Sequence, residues 1–257
     1  MRKTITVITV VYNDCKHIEE TILSVINQEY NNIEFIVIDG DSKDGTIDII
    51  KKYSDRIDYW VSEKDRGIYD AMNKGIRAAN GRYTIFMNSG DVFYNSKVLE
   101  DIFYGSEQLL FEADVIYGDT FIRHGVNIVH RPVPAVPVAR NAMPFCHQSV
   151  FICTELLKKQ LFDLSYRIIG DRVLVTRLFI ENCRFHYVKM PVALIEGEGY
   201  SNQSRLRYQK EVNRLMLTLG FINRRRALIK EKQAWVKDLL SGWIPARWLQ
   251  IKRRYKT

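Results

Sequence analysis

Short apolar runs alternate with apolar residues at helical spacing along the first 90 residues of the chain. The runs are rich in β-branched residues and predict strands over 4–11, 33–38, 58–61 and 83–88. Apolar side chains three or four residues apart predict a helix in each interval. The first helix is expected after a cap at Asn13 or Asp14, and the third is expected to end at Asn80-Gly81. Strands separated by helices imply right-handed parallel crossovers and hence a layered α/β fold.

The pattern changes after residue 91. Two strand-like runs fall within 114–131, and a further α/β stretch extends from the following loop to about residue 196. That loop contains Pro132, Pro134, Pro137 and Pro144. A loop of such length more often has a function than none. Beyond Ser201 the chain is helical and basic to its end. We expect one domain over residues 1–200 and a helical extension over 201–257.

Composition is that of an ordinary globular protein, with 46% hydrophobic and 26% charged residues. No apolar stretch approaches the roughly 18–20 residues that span a bilayer, and the N-terminus lacks the apolar region of a signal peptide. The four cysteines form no C-x-x-C pair, so we expect reduced thiols in a cytosolic protein.

The net charge of +8 is unevenly distributed. Residues 201–257 contain 15 Lys and Arg against three acids, a net charge of +12, so the preceding residues carry −4. Tryptophan and leucine residues recur within this basic segment. This composition is typical of helices that lie on an anionic membrane surface. The residues expected to contact such a surface are Arg224, Arg225, Arg226, Trp235, Trp243, Trp248, Lys252, Arg253 and Arg254.

Two other interpretations of the basic segment stay open. Its apolar stripe could pack on the domain over residues 1–200 or on a second subunit, as in a homodimer. Nucleic acid is disfavoured as a partner because the segment contains no recognised reading motif.

Acidic residues follow two of the predicted strands. Asp39 and Asp41 come after the second strand, and Asp91 comes after the fourth. Ligands of open parallel sheets bind at the carboxyl ends of strands, and carboxylates there suit a divalent cation that carries a diphosphate. Structural alternatives remain, because Asp39 could fasten the loop that ends its strand and Asp41 could be a turn former.

Four motifs occur in a characteristic order and spacing. They are Thr9-Val10-Val11-Tyr12-Asn13, the nine residues 38–46 (IDGDSKDGT), the nine residues 67–75 (GIYDAMNKG) and Asn88-Ser89-Gly90-Asp91. Together they resemble the family 2 inverting glycosyltransferases with the GT-A fold, particularly the branch that builds bacterial O-antigen and colanic-acid-type polysaccharides. The resemblance covers roughly residues 1–200. It implies a Rossmann-like, mostly parallel sheet flanked by helices, with a nucleotide-sugar half (1–91) and an acceptor half (92–200).

The resemblance also assigns roles by position. Asp171 matches the family's catalytic base, and Asp91 matches the metal-binding end of its D-x-D element. His147 and Gln148 lie in a segment that resembles a loop on the sugar and acceptor side. The positions that match the nucleotide-sugar site are Thr9, Val11 and Tyr12 around the base, Asp39 at the uracil N–H, Asp41, and Asn88, Ser89 and Gly90 of the D-x-D element.

Inverting transfer needs two functions from the protein. A carboxylate takes the proton of the acceptor hydroxyl, which we expect of Asp171, and a cation stabilises the departing diphosphate. We expect Mn²⁺ or Mg²⁺ at Asp91. Arg66 and Lys74, which flank the start of the third helix, could add positive charge at the phosphates.

Several of these residues have competing interpretations. Asp119 is the alternative base, although it could equally form a strand-end turn. His147 could be an ordinary hydrogen-bonded loop histidine, and Asp70 an exposed acid in the first turn of a helix. Arg66 could pair with Asp65 or Glu63 at the surface, a contact of little energetic value.

The resemblance implies transfer of a hexose (galactose, N-acetylglucosamine or glucose) from a UDP-sugar to a polyprenyl-diphosphate-linked glycan at the cytoplasmic face of the inner membrane. A nucleotidyltransferase would carry a Gly-rich phosphate loop after the first strand, where Val11-Tyr12-Asn13-Asp14 stands. A dinucleotide oxidoreductase would carry G-x-G-x-x-G there. A non-catalytic membrane adaptor would tolerate the loss of Asp91 and Asp171.

Overall fold

The computed structural model describes residues 4–104, 112–134, 145–197 and 205–243. Its strands are β1 (Ile5–Val11), β2 (Ile33–Asp39), β3 (Tyr59–Ser62), β4 (Tyr83–Phe86), β5 (Val92–Phe93), β6 (Val115–His124), β7 (Asn127–Arg131), β8 (Val150–Cys153) and β9 (Phe185–Glu196). Its helices are α1 (Ile18–Ile26), α2 (Thr46–Lys52), α3 (Ile68–Ala78), α4 (Val98–Phe103), α5 (Thr154–Lys159), α6 (Gly170–Ile180), α7 (Arg205–Thr218) and α8 (Arg224–Trp243). The strands and helices predicted over the first 90 residues are all present. Among the predicted positions, Pro137, Pro144, Trp248, Lys252, Arg253 and Arg254 lie outside the described residues.

The strands form one sheet in the order β3-β2-β1-β4-β8-β6-β9-β5, with β7 paired to β6. Strands β1 to β4 run parallel to one another, as the crossovers require. In the second half, β8 runs antiparallel to β4 and to β6, whereas β9 runs parallel to β6. The predicted α/β class is confirmed, and its sheet is mixed.

Helices cover both faces of the sheet because each central strand is apolar on both sides. Val7 of β1 packs into one buried cluster with Ile22 of α1, and Ile8 packs into another with Met72 of α3. The second cluster also contains Leu174 of α6. Burial on both faces explains why these strands are almost continuously apolar.

The strand order reverses beside β1. From β1 the chain moves to β2 and β3 on one side and then returns to β4 on the other. A reversal of this kind opens a crevice at the carboxyl ends of the strands. The loops after β1, β2 and β4 therefore border the natural ligand site.

Two predicted helix ends need correction. Neither Asn13 nor Asp14 caps α1 with its side chain; the backbone carbonyl of Asp14 accepts the N–H groups of His17 (3.3 Å) and Ile18 (3.2 Å) instead. Helix α3 ends at Ala78, so Gly81 is not its cap. A Cβ at Gly81 would lie 2.6 Å from the backbone nitrogen of Thr6, so the glycine is explained by this close approach.

The carboxylate of Glu34, near the start of β2, fastens the opposite end of the sheet. It accepts hydrogen bonds from the Thr6 hydroxyl (2.6 Å), from the backbone N–H groups of Asn80 (2.6 Å) and Gly81 (3.2 Å), and from the Asn80 amide (2.8 Å). These bonds tie the turn between α3 and β4 to β1 and β2.

The chain divides into two compact units, residues 1–197 and 198–257. In the second unit α7 and α8 form an antiparallel hairpin. The Leu206 N–H donates to Asp238 (3.0 Å), and the buried Asn213 amide donates to the carbonyl of Ala227 (2.8 Å). No helix in the described part of the chain is long and apolar enough to cross a bilayer.

Candidate active site

The loops that follow β1 and β2 are fastened to each other. The backbone N–H groups of Asn13 and Asp14 donate to the hydroxyls of Ser42 (2.7 Å) and Thr46 (3.0 Å). In return, the Lys43 N–H donates to the Asn13 amide oxygen (2.8 Å). The two loops therefore form one wall of the crevice.

Asp39 is the last residue of β2 and is fully buried. It accepts the Ser42 N–H (3.0 Å), the Ser42 hydroxyl (2.5 Å) and the Ser62 hydroxyl (2.6 Å). These bonds fit the loop-fastening interpretation of Asp39. Because a carboxylate offers about four acceptor positions, these three bonds leave one position unused.

The residues expected around the nucleotide base are not equivalent. The side chain of Thr9 is fully buried and that of Val11 nearly so, because β1 lies at the centre of the sheet. Neither side chain is open to a ligand, so the expected place of these two residues around the base stays a prediction. Tyr12 is 65% exposed, and a Cβ at Gly40 would lie 3.2 Å from its ring. Tyr12 and Gly40 thus border a surface on which a planar base could stack.

Arg66 and Asp70 form a pair at the start of α3. The Arg66 backbone N–H donates to the Asp70 carboxylate (3.0 Å), and its guanidinium lies 3.1 Å from the same group. The Arg66 guanidinium holds the pKa of the Asp70 carboxyl below its ordinary value. Asp70 is buried, so its interpretation as an exposed acid is wrong. The suggested pairing of Arg66 with Asp65 or Glu63 is also wrong, because the Arg66 guanidinium pairs with Asp70.

Two other predicted charges are already paired within the protein. The Lys74 ammonium lies 2.9 Å from a Glu63 oxygen and donates to the carbonyl of Lys64 (2.9 Å). Asp41 pairs with Lys43, which keeps the pKa of the Asp41 carboxyl below its ordinary value. Because the Lys74 ammonium is already paired with Glu63, the case for a direct phosphate contact by Lys74 is weaker.

The turn 88–91 follows β4 and is anchored to α1. The Asp91 N–H donates to the Asn88 carbonyl (2.9 Å), and Gly90 between them has a φ of 91°, which favours glycine. The Thr21 hydroxyl of α1 accepts the Gly90 N–H (3.0 Å) and donates to the Asp91 carbonyl (2.9 Å). The Ser89 hydroxyl donates to Asp14 (2.7 Å) in the neighbouring loop.

The side chain of Asp91 is buried and accepts a hydrogen bond from the Gln148 amide (2.9 Å). Burial raises the pKa of the Asp91 carboxyl to about 6, although the Gln148 hydrogen bond and the charge of His147 oppose this shift. The group is therefore mostly ionised at neutral pH and protonated in mild acid.

Asp171 lies in the first turn of α6 and is held from one side by Tyr69 of α3. Its Oδ1 accepts the Arg172 N–H (2.8 Å) and lies 3.3 Å from the Tyr69 hydroxyl. Burial, helped by the charge of Asp171, raises the pKa of Tyr69, so the phenol stays neutral. A Cβ at Gly170 would lie 2.7 Å from the Tyr69 ring, so this contact requires glycine.

Two consecutive residues join the 88–91 turn to Asp171. His147 Nδ1 lies 3.3 Å from Asp171 Oδ2, and His147 Nε2 lies 3.0 Å from the Asn88 amide nitrogen. The next residue, Gln148, contacts Asp91. The predicted metal residue and the predicted base therefore border one site.

The pKa of the His147 ring depends on its burial and on two acidic neighbours. Burial would lower the pKa of the ring, but the hydrogen bond and charge of Asp171, with the charge of Asp91, raise it overall.

Asp119, the alternative base, lies inside β6 at a bulge and not at a strand-end turn. Its carboxylate accepts the Val133 N–H (3.0 Å) and the Tyr187 hydroxyl (2.8 Å), and it pairs with His130 Nε2 (2.8 Å). These contacts join β6, β7 and β9, so the geometry favours a structural role.

Three residues to which the sequence assigned no role support the position of Asp171, the predicted base. Tyr69 contacts Asp171, Gly170 allows that contact, and Asn73 exchanges two hydrogen bonds with the backbone of Phe162 (2.8 and 2.9 Å). The Phe162 ring in turn stacks on Tyr69, with centroids 5.2 Å apart. In the sequence, Tyr69 and Asn73 were recognised as members of the third motif and of a helical pattern, with no role of their own.

The donor atoms near Asp91 fit a cation that the protein shares with a substrate. Among the residues that the structure describes, no three His, Cys, Asp or Glu side chains enclose a metal. However, the Asn88 side-chain oxygen is buried without a hydrogen-bond partner, three residues before the Asp91 carboxylate. One carboxylate and one amide oxygen suit Mg²⁺ or Mn²⁺, which commonly complete their coordination with substrate phosphates.

Comparison with known proteins identifies the family of this chain. The model of glycosyl transferase family 2 matches residues 6–133. An uncharacterized glycosyltransferase of Mycobacterium tuberculosis strain H37Rv is 33% identical over 183 residues, which cover 68% of each protein. The chain belongs to glycosyltransferase family 2 and is a glycosyltransferase.

Solved structures share the fold at low sequence identity. TarS of S. aureus in complex with UDP-GlcNAc has a TM-score of 0.67 and 17% identity over 90% of this chain and 71% of that chain. The mannosyltransferase PcManGT of Pyrobaculum calidifontis, in complex with GDP-Man and Mn²⁺, has a TM-score of 0.63 and 16% identity. The match covers 99% of this chain and 80% of that one. These likenesses confirm the predicted GT-A fold.

Proposed function

We propose that this glycosyltransferase inverts the anomeric centre as it moves a hexosyl group from a UDP-sugar to a sugar hydroxyl. The observation that carries the proposal is the pair of contacts from His147 and Gln148, which reach Asp171 and Asp91 respectively. A base and a carboxylate for the diphosphate side thereby border one crevice. Inverting displacement needs these two groups on either side of the transferred sugar.

Asp171 takes the proton of the acceptor hydroxyl in this proposal. The new bond forms between the acceptor oxygen and the anomeric carbon as the bond to the diphosphate breaks, and UDP leaves with the bonding electrons. Oδ1 of Asp171 is engaged by the Arg172 N–H and Tyr69, so we assign the proton to Oδ2, on the side of His147. The Asp171 side chain is 21% exposed, which gives the acceptor access to it.

Asn88 and Asp91 would hold Mn²⁺ or Mg²⁺ together with the diphosphate of the donor. When bound, such a cation neutralises charge that develops on the leaving group. Ionised Asp91 is the form that binds, so the pKa of about 6 for this carboxyl sets the acidic limit of cation binding.

The nucleotide would bind between Tyr12 and the carboxyl end of β2. The exposed Tyr12 ring offers a stacking surface, and Asp39 retains an acceptor position for the uracil N–H. Arg66, the exposed cation at the start of α3, would add charge at the diphosphate. A uridine donor is also consistent with the complex of TarS and UDP-GlcNAc.

The acceptor would be a lipid-linked glycan of bacterial surface polysaccharide, extended at the cytoplasmic face of the inner membrane. Helix α8 supports this part, because its exposed apolar side chains recur on one face among basic residues. They are Leu228, Ile229, Trp235, Val236 and Leu239. Arg224, Arg225 and Arg226 begin the same helix.

A donor screen tests the catalytic proposal. Nucleoside diphosphate release would be measured for several UDP-hexoses, with and without Mn²⁺, using a lipid-linked GlcNAc or GalNAc acceptor mimic. Nuclear magnetic resonance of the product would establish its anomeric configuration. We expect a β-linkage from an α-linked donor, loss of turnover in Asp171→Asn, and retention in Asp119→Asn. Retention of the donor configuration, or full activity of Asp171→Asn, would refute the proposal.

Vesicle sedimentation tests the membrane part separately. We expect binding to anionic vesicles at low salt that weakens as salt rises, because screening shortens the range of charge attraction. A triple Arg224, Arg225 and Arg226 to Gln variant should bind less and still transfer sugar to a water-soluble acceptor. Equal binding to neutral vesicles would contradict the proposed surface.

A further inference from the structure

His147 lies between the turn that carries Asn88 and the carboxylate of Asp171. We propose that His147 is a positioning residue that holds Asp171 ready to accept the proton, and that Asn88 selects the ring tautomer that does so. The inference rests on the proposed function, since it takes Asp171 as the base. It assigns to His147 a role other than direct contact with the acceptor.

The contact with Asn88 determines where the ring carries its proton. The Asn88 side-chain nitrogen can only donate, so at 3.0 Å from His147 Nε2 it makes that ring nitrogen the acceptor. The proton of the neutral ring is then on Nδ1, which lies 3.3 Å from Asp171 Oδ2 and donates towards it. The same orientation turns the Asn88 oxygen away from the ring, where it is buried without a hydrogen-bond partner and suited to a cation.

The contacts of Asp171 explain why such positioning matters. Oδ1 is fixed by the Arg172 N–H and faces Tyr69, while Oδ2 faces His147. With donors at both oxygens the carboxylate cannot rotate freely, and a second lone pair on Oδ2 is left for the acceptor hydroxyl. An orienting group behind a catalytic side chain acts through geometry, so its loss should lower kcat without weakening donor binding.

Asparagine and glutamine can separate the two ring contacts. In His147→Asn the amide nitrogen can take the place of Nδ1 and still donate to Asp171. In His147→Gln the longer side chain reaches the place of Nε2, next to Asn88. His147→Ala removes both contacts.

We expect kcat to fall about 10- to 100-fold in His147→Ala and His147→Gln, a range typical for loss of an orienting group. His147→Asn should recover most of kcat. The donor KM and the affinity for UDP, measured by calorimetry, should stay close to those of the parent protein in all three variants. Calorimetry with UDP also shows that each variant is folded.

The pair of His130 and Asp119 is a matched control in the same unit. His130 Nε2 lies 2.8 Å from the Asp119 carboxylate, so this is a second histidine paired with an aspartate. His130→Asn, His130→Gln and His130→Ala should all leave kcat unchanged. If kcat depends on His130 and not on His147, then Asp119 is the base and both the inference and the base assignment fail.

The remaining outcomes separate the inference from the proposed function. If Asp171→Asn is inactive while all His147 variants keep the parent kcat, only the positioning role is overturned. Equal losses in His147→Asn, His147→Gln and His147→Ala would also overturn it, because donation to Asp171 would not be the property that matters. Full activity of Asp171→Asn would overturn the proposed function itself.

Discussion

Replacing Asp91 by asparagine should abolish transfer and at the same time stabilise the fold. Burial raises the pKa of this carboxyl from 3.8 to about 6, so the folded protein disfavours the charged form. One pKa unit corresponds to about 1.4 kcal/mol, so a shift of about two units means that ionised Asp91 costs the fold about 3 kcal/mol. Asparagine has nearly the same shape, carries no charge and keeps an oxygen that accepts the Gln148 hydrogen bond. The cost of the charge would thus be removed.

The pH dependence follows from the direction of the shift. Between pH 3.8 and about 6 the folded protein binds a proton at Asp91 that the unfolded chain does not. The cost of the charge is therefore fully present above about pH 6 and declines as the pH falls through this window. The stability gained by Asp91→Asn should be largest near pH 8 and should fall to about half by pH 5.

Urea unfolding at pH 8 and pH 5 measures this gain. Asp41→Asn is a matched control, because Asp41 is an aspartate of the same crevice whose pKa is lowered by Lys43, so its neutralisation should give no gain at either pH. Asp41 also has a φ of 70°, which asparagine tolerates. If Asp91→Asn were less stable than the parent protein at pH 8, burial of an ionised carboxylate at this site would be refuted.

Three further predictions follow from the same contacts. If ionised Asp91 is required, kcat/KM should fall about tenfold from pH 7 to pH 5, whereas a carboxyl of ordinary pKa would leave it nearly constant. Gly170→Ala should displace the Tyr69 ring, lower kcat and cost about 1–3 kcal/mol by overpacking; an unchanged kcat would show that Tyr69 does not position the base. Glu34→Ala should lower the free energy of unfolding by about 1–3 kcal/mol and leave the donor KM unchanged, because Glu34 fastens the sheet away from the crevice. Urea unfolding and steady-state kinetics measure both properties, and a loss of donor binding in Glu34→Ala would contradict its purely structural role.

The sequence predicted the strand ends well because apolar runs and turn residues are local properties. For this reason Asp39 was located correctly at the end of β2, and Asp91 in the turn that follows β4 and precedes β5. The burial of the Thr9 side chain was not predicted, because an unbroken apolar run does not indicate which side chains reach the surface.

Contacts between residues that are far apart in the chain could not be predicted from the sequence. Tyr69 and Asp171 are 102 residues apart, and their contact depends on how α3 and α6 pack on one face of the sheet. His147 and Gln148 were identified as substrate-side residues, but no local pattern indicates that they contact Asp171 and Asp91. The bulge that turns Asp119 inward in β6 likewise has no local sign.

Parallel measurement of UDP binding and sugar transfer in Asp171→Asn and Asp91→Asn tests the central claim most directly. The account predicts that Asp171→Asn binds UDP and Mn²⁺ with the parent affinity and transfers almost no sugar. Asp91→Asn should lose the part of the UDP affinity that depends on Mn²⁺ and should also fail to transfer. Equal loss of UDP binding in both variants, or sugar transfer by Asp171→Asn at the parent rate, would contradict the assignment of the base to one side of the crevice and the diphosphate to the other.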